Sequence, residues 1–152
     1  MKSLWSHVLY GVLLFLVVFQ FATSGLPAAA IDKGKLVIDG RVTLDVEVAR
    51  TAKEQAKGLG GRSFLKKGTG MVFPYDEPRP RPFWMKGMLI PIDILWVQEG
   101  RIMAIEERVP APSVNIPLAV YTHQADLVLE VPAGYVQEKG IRVGQPVEVR
   151  YR

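Results

Sequence analysis

Residues 82–96 read Pro82-Phe83-Trp84-Met85-Lys86-Gly87-Met88-Leu89-Ile90-Pro91-Ile92-Asp93-Ile94-Leu95-Trp96, which sets one lysine and one aspartate inside what is otherwise solid core. Lysine and aspartate are almost never fully buried unless paired. A stretch this apolar belongs inside a packed sheet, so Lys86 and Asp93 either meet buried partners or line a cleft. Any fold open to this chain has to satisfy those two charges.

The N-terminus reads as a processing signal. Lys2 and His7 precede an apolar run over residues 8–19, Gly25 and Pro27 break it, and Ala28-Ala29-Ala30 offers the small residues of a signal-peptidase site. Basic start, short apolar core and A-x-A ending make a secretory signal peptide. The run is 12 residues long, short of the ~20 of a stable spanning helix; an uncleaved anchor over residues 4–22 is the alternative. The expectation is an exported protein, periplasmic or extracellular, with a leader over residues 1–30 and one β-rich domain over residues 31–152. That length suffices for a single core.

No cysteine occurs, so packing rather than disulfides must hold the domain, and thiolate chemistry is eliminated. His123 is the one histidine beyond residue 30, and no D-x-D or E-x-x-H spacing suggests a metal, so neither metal nor cofactor is called for. Removing residues 1–30 takes away Lys2 alone among Lys and Arg, leaving 18 basic and 15 acidic side chains and a net charge of +3. That suits an anionic small molecule or envelope polymer as partner. No Lys/Arg run or basic helix speaks for nucleic acid.

Local patterns predict mostly strands. Leu36-Val37-Ile38 runs into Asp39-Gly40, a preferred hairpin turn, and Val42, Leu44, Val46 and Val48 then alternate with more polar positions. Thr51-Ala52-Lys53-Glu54 matches a capping box, and the helix it opens should stop at Gly58-Leu59-Gly60-Gly61. Residues 70–73 read as a short strand stopped by Pro74, and residues 75–82, with Pro78, Pro80 and Pro82, as an exposed stiff loop. Strands follow over residues 83–88, 92–97 and 101–109. Residues 110–124 read as the longest loop, 126–131 as a strand, 132–139 as a short helix closed by Gly140, and 147–149 as a final strand. The fold class is mainly β: a compact antiparallel barrel-like sheet with one or two short helices.

Gly58-Leu59-Gly60-Gly61-Arg62, Gly70-Met71-Val72-Phe73, Phe83-Trp84-Met85-Lys86, Ile90-Pro91-Ile92-Asp93-Ile94, Leu129-Glu130-Val131-Pro132-Ala133-Gly134 and Gly140-Ile141-Arg142-Val143-Gly144 together resemble the bacterial and archaeal family called domain of unknown function 192. The resemblance spans roughly residues 36–150 and implies a compact β-rich fold, mostly exported or envelope-associated, without an established reaction. Members usually continue Phe-Trp-Met-Lys with Asn-Thr, where this chain carries Gly87-Met88. The matching charged positions are Arg62, Lys86, Asp93 and Glu130.

Neither face of the Asp93 strand is polar, and Glu130 sits between Leu129 and Val131, so both carboxylates should be buried or half-buried. An unpaired buried carboxylate costs several kcal/mol or protonates. Arg62 or Lys86 are the natural counter-charges; bonds to loop amides are the other solution. As a site, Arg62 and Lys86 would hold an anion, with Phe83 and Trp84 as an aromatic wall and Asp93 or Glu130 orienting the ligand. Three functions follow: a binding module for an anionic or carbohydrate-like ligand, a metal-independent envelope hydrolase or lyase using Asp93 or Glu130, and a protein-interaction module docking through residues 78–82 and 110–124.

Overall fold

The computed structural model describes residues 31–151 except 115 and 117; the leader reading therefore lies outside the described residues. The chain opens with the predicted hairpin. Strands β1 (Asp32–Ile38) and β2 (Val42–Val48) pair antiparallel from Asp32↔Val48 to Ile38↔Val42. Asp39 and Gly40 both take positive φ, 53° and 62°, the geometry whose twist matches that of the flanking strands. Helix α1 (Ala52–Lys57) then carries the chain across to β3 (Thr69–Trp84), which lies parallel to β2. The strands β4 (Ile92–Gln98) and β5 (Arg101–Val109) form a second hairpin, turned at Glu99-Gly100 with φ of 50° and 69°. The long β6 (Val120–Pro132) leads into helix α2 (Tyr135–Lys139), and β7 (Val147–Tyr151) closes the chain.

All seven strands form one sheet in the order β5-β4-β6-β3-β2-β1-β7. It curls until its two edges approach: Arg101 bridges to Pro146, and the amide of Val147 donates to the Gly100 carbonyl at 2.8 Å. Leu36, Leu44, Val72, Leu95 and Leu129 fill the inside of the curl, and Tyr135 and Val136 of α2 join them. A second core lies on the other face, where Met71, Phe73, Ile94 and Trp96 meet Leu59, Leu65, Met85 and Met88 from the connecting loops. The fold class agrees with the sequence reading.

Three boundaries differ. Residues 75–82 belong to β3, which pairs with β6 again from Arg79↔Ala125 to Trp84↔Val120 after a register shift. Prolines spaced by two remove donors from one strand edge only, so Arg79, Arg81 and Phe83 keep theirs for the other. Consequently β6 begins at Val120 rather than after residue 124. This β3–β6 ribbon folds back over the second core: Trp96 Nε1 donates to the Arg81 carbonyl at 3.0 Å, and the Trp96 ring meets the His123 ring edge-on at 4.8 Å. The strand predicted over 83–88 ends at Trp84 and becomes a turn, in which Met88 N–H bonds the Met85 carbonyl.

Asp93 is fully buried on the inner face, and among the described residues no lysine, arginine or histidine forms an ion pair with it. Instead Oδ1 accepts from the amides of Arg108 at 2.7 Å and Gly134 at 2.9 Å, and Oδ2 accepts from Val136 at 2.9 Å. Helix α2 has no side-chain cap of its own, so Asp93 reaches across from β4 to satisfy donors that a helix start leaves open. Asparagine has one oxygen and would turn an N–H group toward these donors. The Asp93→Asn variant should lose about 2–4 kcal/mol in urea unfolding; stability equal to the parent would contradict this account.

Candidate functional site

Helix α1 has six residues and buries none of its side chains, too little for a helix to stand by itself. Local hydrogen bonds hold it. Thr51 Oγ1 accepts from the Glu54 amide at 3.2 Å, while the Glu54 carboxylate accepts from the amides of Thr51 and Arg50 at 2.8 and 2.9 Å. The Gln55 side chain donates to the carbonyls of Ala49 and Pro74 at 3.2 and 3.4 Å. These bonds station α1 above β3 without filling the space beneath it.

That space is a cavity of about 160 Å³. Its depth is lined by the buried Leu59, Phe73, Phe83, Met88 and Glu130, its rim by the exposed Lys57, Trp84 and Lys86. Gly58 borders the cavity. Its φ of 48° suits glycine, and a Cβ there would stand 3.5 Å from the Phe73 ring and 3.8 Å from Glu130 Oε2.

Glu130 decides the electrostatics. It pairs with Met71 on β3 and Ile94 on β4, which puts its side chain on the second, outer core. It is 5% exposed, and Oε2 is buried with no hydrogen-bond partner. Burial pushes its carboxyl up to about 8, against the opposing charge of Arg62. Arg62 is committed elsewhere: Nη1 and Nη2 grip Glu47 Oε1 and Oε2 at 2.6 and 2.7 Å. That bidentate bond holds Glu47 below the usual carboxylate range. At neutral pH, therefore, Glu130 is mostly an uncharged acid that both donates and accepts.

Of the six residues singled out by sequence, Phe83, Trp84, Lys86 and Glu130 share this cavity. Arg62 sits beside it, close enough to act on Glu130 through its charge. Asp93 belongs to the opposite face, and its oxygens are taken by backbone amides. Asp93 and Glu130 therefore do not form a catalytic pair. Sequence reasoning missed Lys57, Gly58, Phe73 and Met88. The glycine-rich helix exit was visible, but its fold over Glu130 was not. Gly87 takes φ of 76° and its carbonyl accepts from the Gly61 amide at 2.9 Å, locking the 85–88 turn onto that exit. Among the described residues no cluster of His, Asp and Glu could hold a metal ion.

A burial-raised carboxyl has a signature in stability. Between an unfolded value near 4.5 and a folded value of about 8, the folded chain binds more protons than the unfolded one, so stability falls as pH rises through that window. The parent should lose on the order of 4 kcal/mol between pH 5 and 8 relative to Glu130→Gln. Parallel pH profiles for the two proteins in urea unfolding would disprove this.

The profile of the DUF192 family, described as Uncharacterized ACR, matches residues 35–149. A solved structure from Novosphingobium aromaticivorans, a protein of unknown function, is 31% identical with a TM-score of 0.70, covering 80% of this chain and 89% of that one. Another, from Sinorhizobium meliloti and provisionally described as a transcription regulator, is 31% identical with a TM-score of 0.68, covering 79% and 94%. No curated protein matches the chain.

Proposed function

The chain belongs to the DUF192 family, which is described only as uncharacterised, and we propose that it is an exported binding module whose cavity takes a small anionic or carbohydrate-like ligand. One observation carries this: a buried, unpartnered Glu130 carboxyl lies at the bottom of a pocket whose rim holds Trp84, Lys57 and Lys86. Neither lysine has an ion-pair partner among the described residues. An orphaned buried polar atom calls for an explanation, and a ligand that supplies the missing hydrogen bond is one. The rim lysines supply attraction for an anion, and the half-exposed Trp84 supplies a flat apolar face.

The regulator description of the Sinorhizobium meliloti relative suggests a nucleic-acid role. Against it, Lys35, Arg41, Arg50, Arg62 and Lys67 are each engaged by a neighbouring carboxylate. A second reading, envelope hydrolysis with Glu130 as general acid, draws on the same raised carboxyl, since such an acid must hold its proton near the working pH. It lacks a second carboxylate in the cavity, since Asp93 faces the other side of the sheet.

Sodium glucuronate is a suitable first probe. Titrated against the protein, it should shift the NMR signals of the Trp84 indole N–H and the Gly58 amide, and Lys86→Met should weaken binding about fivefold. No shift at millimolar glucuronate, glucose or phosphate would overturn the binding reading. For export, fractionated cells should yield a mature protein beginning at Ile31; a full-length cytoplasmic chain would overturn that part.

A further inference from the structure

We propose that the ligand is a ring-sized sugar acid, its uncharged ring inside the cavity against Glu130 and Trp84 and its anionic group held at the rim by Lys57 and Lys86. This rests on the binding reading and narrows it. Size is the first constraint: the cavity measures about 160 Å³, close to the roughly 150 Å³ of a cavity that holds benzene, so it takes one ring whose substituents extend to the open rim.

The layout of charge sets the orientation. The bottom is walled by Leu59, Phe73, Phe83 and Met88, with Glu130 as its buried polar side chain. An anion placed there would be desolvated beside a carboxyl, with the nearby Arg62 guanidinium already bonded to Glu47. Lys57 and Lys86 stand at the exposed rim, so the negative group stays outside. The group that goes in must both donate to and accept from Glu130. Ring hydroxyls do both, whereas an aromatic acid would leave Oε2 as unpartnered as it is now. The C–H face of a pyranose ring matches the flat indole of Trp84 at the mouth of the cavity.

The test is an NMR titration of the full chain with four probes: glucuronate, glucose, benzoate and inorganic phosphate. Glucuronate should bind tightest, by about tenfold over glucose, which lacks the anion, and over benzoate, which lacks the hydroxyls. Phosphate should bind weakest, because it reaches only the lysines. The Glu130→Gln variant keeps one donor and one acceptor and should retain glucuronate. Glu130→Leu should lose it and gain benzoate, a reversal that a misfolded variant would not produce. Phosphate or benzoate binding as tightly as glucuronate would overturn the sugar-acid assignment and leave the broader binding reading standing. So would a Leu variant that keeps glucuronate. Silence from all four probes would remove both.

Discussion

The Asp93 carboxylate is the point on which the rest of this structure hangs. Three backbone amides from three places converge on it: Arg108 near the end of β5, Gly134 in the turn after β6, and Val136 in α2. Through those bonds β4 gathers its neighbour strand and the short helix that puts Tyr135 and Val136 into the inner core. Arg108 takes a positive φ of 53° to present its amide, a conformation non-glycine residues seldom adopt. A buried charge is tolerable only when its hydrogen-bonding capacity is met. Here it is met by backbone amides, so no counter-ion is needed.

Glu130 is the opposite case on the adjacent strand. It pairs across from Ile94, the residue after Asp93, and so faces the other side of the sheet. No amides converge on it; instead it meets apolar rings, a glycine and an empty space. Its raised carboxyl value follows from that environment, not from the residue type. A chain selected for stability alone would place an apolar side chain there. Retaining an awkward acid beside a cavity is the kind of stability cost found at functional sites.

The cavity exists because α1 is held by hydrogen bonds rather than by a buried apolar face. The capping box and the Gln55 bonds hold it over β3, Gly58 borders the space below, and the Gly61–Gly87 bond fixes the turn that carries Lys86 and Met88. The folded-back β3–β6 ribbon supplies Phe83 and Trp84 from the far side, one facing inward and the other out.

What the sequence determined by itself were features governed by neighbouring residues: the Asp39-Gly40 hairpin turn, the capping box at Thr51 and Glu54, the alternating strands, and the burial of Asp93 and Glu130. Turn chemistry and period-two alternation act over a few residues, so they are written locally. The prolines at 78, 80 and 82 misled because their effect depends on which strand edge they face, and that edge is chosen by a partner strand far along the chain. The same holds for the two acids. Both sit in apolar strands, and nothing local says that one meets amides and the other a pocket. Sheet register set them on opposite faces, and register is a long-range property of the fold. Only the tertiary structure decided that Asp93 holds the fold together and that Glu130 Oε2 is buried beside a cavity without a hydrogen-bond partner.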